Sequence, residues 1–417
     1  MTDFVYQCSL CNHTYEPNEV MYTCPQDGGN LNVILDYDAI RAQTRPSDIT
    51  ASRDFSLWRY LPLLPVSDPD GKGTPLRAAG WTPIYQPPAL AKQLDLRRLW
   101  IKDESRNPTA SFKDRASAVV VARALEIGAE VVVTASTGNA GAALAGMAAA
   151  LGRRAVIFAP KTAPPAKVAQ LLVFGAQVIL VNGNYDQAFD LSVQASQNFG
   201  WYCRNTGFNP FTVEGKKTGA LEIWEQVLMP ERGRARPLNV LVSVGDGNII
   251  SGIHKGFKDL LALGWIETMP RLFGVQAEGS AAVANAIRSG SSEIQPVSAK
   301  TIADSISVDL PRDGLRAVHA ITQTGGECVV VSDNEILSAI AALGKVGIFA
   351  EPAGAAAYAG LVRAIDCGQI QPEDPILVIN TGSGLKDTRA AMQAVREAPV
   401  IEPTLPALKS YLQTVSG

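Results

Sequence analysis

Cysteine, histidine and charge are all scarce in this chain of 417 residues. There are six cysteines, and three of them fall within the first 24 residues. This excludes a disulfide framework spread over a secreted domain and points to a reducing, cytoplasmic setting. Of the three histidines, His254 and His319 stand at no metal-ligand spacing and read as structural or surface residues. Cys203, Cys328 and Cys367 belong to no motif and read as buried apolar side chains. Charged residues make up 18%, and 37 basic against 40 acidic side chains leave a net charge of −3. No basic excess is available to displace counterions, so a nucleic-acid partner is not expected. Met1-Thr2-Asp3-Phe4 lacks a basic region followed by an apolar run, and no secretory signal is expected. The 22 residues from Val131 to Gly152 carry no charge, which is long enough for a membrane span. Thr134, Ser136, Thr137 and Asn139, with Gly138 and Gly141, interrupt that run. It reads as a buried strand, a polar loop and an alanine-rich helix, with no membrane as partner.

What is present is a globular composition. Apolar residues reach 47% and glycine numbers 36, and the length suffices for two or three domains. Near the start, Cys8-Ser9-Leu10-Cys11 is followed by twelve residues and then Cys24-Pro25-Gln26-Asp27. Two such knuckles offer zinc four ligands, and a metal can fold a segment too small for its own core. Asp27 stands where a fourth cysteine is usual, and carboxylate oxygen is an acceptable zinc ligand. The alternative is a ribbon without metal that is held by packing on the body. His13 is the other candidate nearby. Residues 36–75, with Pro46, Pro62, Pro65, Pro69 and several aspartates, read as a linker or arm over the surface.

From about residue 80, short apolar runs alternate with segments of helical length, which implies α/β units around a largely parallel sheet. The strands are expected near Leu99–Ile101, Glu130–Thr134, Ala155–Ala159, Gln177–Val181, Val240–Val244, Leu272–Gln276 and Ile376–Ile379. Helices are expected near 112–127, 139–151, 184–198, 216–227 and 250–263. Ligands of such sheets sit beyond the carboxyl ends of strands, so the loops there are the place to look.

Four of these loops stand out. In Asn107-Pro108-Thr109-Ala110-Ser111-Phe112-Lys113-Asp114-Arg115, Ser111 and Asp114 have the spacing of a capping box. Lys113 then lies in the first turn of a helix, where the macrodipole, and Arg115 beside it, disfavour its charged form. A neutral amine is what Schiff-base chemistry needs. Thr134-Ala135-Ser136-Thr137-Gly138-Asn139-Ala140-Gly141 leads from a strand into a helix, where amides and hydroxyls either hold a carboxylate or simply cap. Ser243-Val244-Gly245-Asp246-Gly247-Asn248-Ile249-Ile250 can cradle a phosphate. With Ile250 in the third glycine position, the dinucleotide motif is incomplete. Asn380-Thr381-Gly382-Ser383-Gly384-Leu385-Lys386-Asp387 also follows a strand directly.

These motifs occur in the order found in pyridoxal-phosphate enzymes of the tryptophan-synthase-β fold type, called fold type II. Within that superfamily the chain most resembles the threonine synthase family. The likeness extends over Leu57-Trp58-Arg59-Tyr60, Gly80-Trp81-Thr82-Pro83, Asn209-Pro210-Phe211 and Glu214-Gly215-Lys216-Lys217-Thr218. The resemblance implies a three-layer α/β fold with two open-sheet domains behind a zinc-ribbon-like segment (1–35). The large domain would take 76–125 and 215–400, the small mobile one 126–214, and the tail 401–417. It also implies a homodimer. Lys113 would hold pyridoxal phosphate as a Schiff base and move protons, with Phe112 packed beside it. Asn139 would bond the 3′-oxygen, and Ser136, Thr137 and Asn139 would receive the substrate carboxylate. Gly245, Asp246, Gly247, Asn248 and Ile249 would wrap the cofactor phosphate, and Thr381 would face the ring nitrogen.

The substrate would be a small amino acid, most simply O-phosphohomoserine converted to threonine. Two departures bear on this. Thr212 stands where the family pattern has an arginine for the substrate phosphate, and Ser383 replaces a histidine. Losing a bidentate phosphate partner is not a conservative change. Lys216, Lys217, Arg204 and Arg115 are the available replacements. The alternative activities are β-replacement or β-elimination, either cysteate-synthase-like on phosphoserine or as a serine/threonine dehydratase.

Overall fold

Strands buried on both faces read as unbroken apolar runs, and here they form two separate parallel sheets. The computed structural model describes residues 3–231, 236–291 and 293–415. Its strands are β1 (Phe4–Cys8), β2 (Thr14–Tyr15), β3 (Leu31–Leu35), β4 (Ile84–Tyr85), β5 (Arg98–Asp103), β6 (Val131–Ala135) and β7 (Arg154–Pro160), then β8 (Gln177–Val181), β9 (Tyr202–Cys203), β10 (Asn239–Ser243), β11 (Arg271–Ala277), β12 (Cys328–Val331) and β13 (Pro375–Asn380). The larger sheet has the order β12-β11-β10-β13-β5-β4. All its pairs are parallel except β4, which runs antiparallel on the edge. The smaller sheet, β8-β7-β6-β9, is parallel throughout.

Every residue of β6, β10 and β13 is buried, because helices cover both faces of their sheets. The uncharged run from Val131 resolves into β6, a loop and helix Asn139–Ala150. Among the described residues no helix is long and apolar enough to cross a membrane. Helix Phe211–Ile223 packs closely against both Lys113–Glu126 and Asn248–Ala262. Their approach depends on small residues: a Cβ at Gly215 would collide with the carbonyl of Arg115.

The N-terminal sheet, β2-β1-β3, is antiparallel and alternates buried with half-buried positions, so one face is turned inward. Phe4 on that face meets Phe211 edge-on at 5.9 Å. The arm after it differs from the expected surface linker. Helices Tyr37–Gln43 and Pro46–Thr50 are followed by a tight turn, Leu57–Leu63, in which Leu57, Trp58, Arg59, Tyr60 and Leu63 are buried. The prolines mark turns, but the apolar side chains between them belong to the core. Arg59 pairs with Glu225 at 2.6 Å and lies 4.1 Å over the ring of Trp81. Of the three cysteines read as buried, Cys203 is buried, Cys328 is half-buried and Cys367 is exposed.

The core also holds a fully buried group of charges. Arg115 reaches Glu104 and Glu222 at 2.7 Å each, and Lys102 reaches Glu222 at 2.7 Å. Two acids and two bases balance, and the Thr82 hydroxyl donates to Glu104 at 2.7 Å.

His254, in helix Asn248–Ala262, is buried, and its imidazole is pushed down to about 4 by burial, with Lys258 and His319 adding to the shift. An unfolded chain takes up this proton near pH 6.5, whereas the folded protein resists it until about pH 4. Stability is therefore expected to fall as pH drops through that window, by at most roughly 3 kcal/mol. Denaturant melts of the protein and of His254→Gln between pH 4 and 7 check this, and the variant should show the shallower slope.

Candidate active site

The carboxyl ends of β6 and β10, together with the loop after β13, open onto one cavity of about 440 Å³. Its lining contains Lys113, Ser136, Thr137, Asn139, Gly245, Asp246, Gly247, Asn248, Ile249 and Thr381, so four loops far apart in sequence share one space.

Lys113 opens its helix, although the cap differs from the expected one. Phe112 occupies the N-cap position without a side-chain bond, and Ser111 Oγ accepts from the Lys113 amide at 3.4 Å. Asp114 turns back to accept from the Thr109 amide at 2.6 Å, and the Thr109 hydroxyl bonds it as well. No capping box forms, because that carboxylate serves the preceding turn. The loop is also tied to its neighbour by main chain. The Phe112 amide donates to Thr381 O at 2.9 Å, and the Ser383 amide donates to Ala110 O at 3.1 Å.

Burial pulls the Lys113 amine below its ordinary value. Glu351 opposes this, Arg204 adds to it, and Asp246 opposes it. The guanidinium acting on Lys113 is thus that of Arg204, since Arg115 is held by Glu104 and Glu222.

The loop after β6 is held from below and from across the cavity. Asn205 Oδ1 accepts from the Ala135 amide at 2.8 Å and from the Thr134 hydroxyl at 3.0 Å. Asn139 donates through Nδ2 to Glu351 at 2.8 and 3.1 Å. Glu351 was not singled out in the sequence. The available signal was its isolation, for it is the one charge between Lys345 and Arg363. Burial raises its pKa, which the bond from Asn139 partly offsets.

The loop after β10 turns through Gly247, whose φ is +90°. A Cβ there would lie 2.7 Å from Asp313 O, so glycine is required by both conformation and space. Helix Asn248–Ala262 begins immediately afterwards, and its first amides carry the positive end of the macrodipole. Asn248 donates to Asp313 Oδ2 at 2.8 Å and accepts from Lys216 Nζ. The Asp246 carboxylate accepts from the Arg312 amide at 3.3 Å.

Two residues expected at the site are elsewhere. Thr212 is buried outside the cavity, its hydroxyl donating to Asn209 O at 2.7 Å. In the first turn of helix Phe211–Ile223, its side chain turns back onto the preceding carbonyl. Phe112 is also buried outside the lining, under Arg115 at 5.4 Å and against the backbone of Gly219. Of the four replacement cations, Arg204 and Lys216 line the cavity, whereas Arg115 and Lys217 are consumed by ion pairs.

These residues fit pyridoxal phosphate. An aldehyde needs an amine that gives up its proton readily, and burial shifts Lys113 in that direction. A phosphate needs amides at a helix start with no Cβ in the way, as at Gly245 and Gly247, where a Cβ would meet backbone within 3 Å. A cavity of about 440 Å³ holds a ring of that size beside a small amino acid.

At the other end of the chain Cys8, Cys11, Cys24 and Asp27 place one ligand atom each within 4.8 Å of one another. Cys11 Sγ and Cys24 Sγ are 3.8 Å apart. That is the edge of a tetrahedron with bonds of ~2.3 Å, the usual zinc–sulfur length. His13 stands aside, stacked edge-on against Tyr15 at 4.6 Å.

Known proteins agree with this geometry. The family described as "Pyridoxal-phosphate dependent enzyme" matches residues 76–382. The threonine synthase of Methanocaldococcus jannaschii is 39% identical over 98% of this chain and 99% of its own length. That of Methanosarcina acetivorans is 36% identical over 97% and 98%. Among solved structures, diaminopropionate ammonia lyase from Escherichia coli superposes with a TM-score of 0.65 at 20% identity, covering 85% of this chain and 94% of its own. Threonine deaminase isoform 2 from Solanum lycopersicum gives 0.64 at 22%, covering 82% and 94%. These two show the fold, and the full-length relatives narrow it further: the chain belongs to the pyridoxal-phosphate-dependent enzymes of fold type II and, within them, to the threonine synthase family.

Proposed function

We propose that the protein converts O-phospho-L-homoserine and water to L-threonine and phosphate. One observation carries this reading: the lysine loop, the hydroxyl-and-amide loop and the glycine cup converge on a single cavity in a chain whose relatives match it end to end.

Pyridoxal phosphate bound at Lys113 supplies an electron sink that makes the substrate Cα–H acidic. Lys113 is the residue that would hold the cofactor, and its amine is placed to act as the general base toward the substrate Cα and Cβ protons. Phosphate leaves from Cγ, water adds its hydroxyl at Cβ, and protons return to Cγ and Cα, so the atoms balance. Ser136, Thr137 and neighbouring amides receive the α-carboxylate. Asn139, steadied by Glu351, would address the 3′-oxygen, Gly245 to Ile249 would hold the cofactor phosphate, and Thr381 would offer the ring nitrogen a hydroxyl partner. Residues 126–214 act as the mobile unit, closing the Ser136–Asn139 loop over the substrate and excluding water.

Incubation with O-phosphohomoserine should release phosphate and threonine in equal amounts. A 2-oxo acid with ammonia, or a new C–S bond from phosphoserine, would instead assign the chain to β-elimination or β-replacement.

Gly247→Ala is expected to weaken cofactor binding on the order of tenfold, from strain of about 1–2 kcal/mol at a positive φ. Titration of the apoprotein with pyridoxal phosphate measures this.

The four N-terminal ligands bind zinc in the same reading, supported by the sulfur spacing. Elemental analysis should find one zinc per chain, lost in Cys24→Ser. The protein acts as a homodimer in the cytoplasm, and sedimentation equilibrium tests the dimer.

A further inference from the structure

Arg204 follows β9 directly and is fully buried, yet it lines the cavity. Its Nε donates to Ser117 Oγ at 3.2 Å and its Nη1 to Thr206 Oγ1 at 2.7 Å. Its Nη2 has no hydrogen-bond partner. Among the described residues no carboxylate pairs with it. This distinguishes it, like Lys216, from the ion-paired buried cations of the core. Arg115 and Lys102 share two glutamates, Lys217 pairs with Asp259, and Arg59 pairs with Glu225. Lys216, also in the lining, donates to a neutral amide oxygen of Asn248.

A buried guanidinium with a free N–H face is costly unless an anion completes it. The two other anion-binding loops of the cavity do not need it. The amides at Gly245–Asn248 form a cup of their own, and the Ser136–Asn139 loop offers amides and hydroxyls. Meanwhile the family-pattern arginine at position 212 is a threonine whose hydroxyl is bonded to Asn209.

We infer that Arg204, with Lys216 beside it, receives the phosphomonoester of the substrate, taking from the end of β9 the role that position 212 has given up. This rests on the proposed function. A planar fork suits a phosphate dianion, and its Nη2 is free to donate. The same contacts would hold free inorganic phosphate, the product, so the product should compete with the substrate through this residue.

The test uses the cofactor-loaded enzyme and the variants Arg204→Gln and Arg204→Lys, each checked for folding by thermal melting. In Arg204→Gln the KM for O-phosphohomoserine is expected to rise roughly 10- to 100-fold, and the inhibition constant of inorganic phosphate with it. kcat should move much less. The spectral response to L-serine, which carries no phosphate, should be unchanged, and Arg204→Lys should recover part of the loss. A folded variant with the parent's KM and the parent's phosphate inhibition overturns the inference. So does a primary loss of pyridoxal phosphate affinity, which would assign the guanidinium to the cofactor's phosphate. If Arg204→Gln does not fold, Arg204→Lys decides by the same two constants. If the parent enzyme leaves O-phosphohomoserine unchanged, the functional reading fails separately. Calorimetric titration with inorganic phosphate still decides Arg204: weaker binding in the variants supports it, and equal binding overturns it.

Discussion

Lys113→Ala is expected to give a folded protein with no visible absorbance from covalently held cofactor and turnover reduced by at least about 10⁴-fold. The structure supports both halves. Lys113 is an amine in the cavity whose pKa is lowered by burial, and it stands among the loops that would address the rest of the cofactor. Lys216, the other lysine there, is engaged with Asn248. It is itself held well below its ordinary value by burial, with Arg204 and Lys113 adding to the shift. Because the Lys216 amine is also lowered by burial, absorbance and turnover must be followed together. Persisting turnover in Lys113→Ala would remove the central assignment. Exogenous primary amines should restore a fraction of the rate if the missing function is proton transfer.

The largest stability effect is expected away from the cavity, at Arg115. Arg115→Met removes the guanidinium that two buried glutamates share, leaving Glu104 and Glu222 with Lys102 as their remaining cation. Breaking a buried ionic group in this way costs roughly 3–5 kcal/mol. The double variant Arg115→Met with Glu222→Gln restores charge balance between Lys102 and Glu104, which lie 3.9 Å apart, and should regain part of the loss. Urea unfolding of the single and double variants yields the coupling. Simple additivity would show that the four groups do not act as a unit.

Arg115 also illustrates what was legible in the sequence. Its place next to Lys113 suggested an electrostatic effect on that amine. In a helix, however, residues two apart point to different faces, and Arg115 points into the core. The elements themselves were easier. Gln177–Val181 is a strand over the expected residues, and helix Asn139–Ala150 begins where the glycine-containing loop predicts. Strands buried on both faces announce themselves as apolar runs. Two-residue β4 and β9 are too short to do so. Edge strand β12 alternates half-buried and buried positions and offers a weaker pattern.

The site follows the same logic. The loops that carry Lys113, Asn139, Gly247 and Thr381 each have a local signature. Their partners do not: Glu351 meets Asn139 across 212 residues of chain, and Asp313 meets Asn248 across 65. Thr212 shows the converse error. Its position within a motif suggested a role, while its rotamer follows from the carbonyl three residues earlier.

The main-chain bonds joining the Ala110–Phe112 segment to Thr381 and Ser383 have a consequence for synthesis on the ribosome. Lys113 emerges well before Thr381 and Ser383, whose backbone fixes its loop. β13 is also the strand that joins β10 to β5 at the centre of its sheet. Before it arrives, the nascent polypeptide carries the reactive amine without the frame that aims it. A message ending ahead of β13 therefore yields a fragment unable to retain the coenzyme. Competence arrives once β13 and the loop after it have been made, in a single step, rather than accumulating with length.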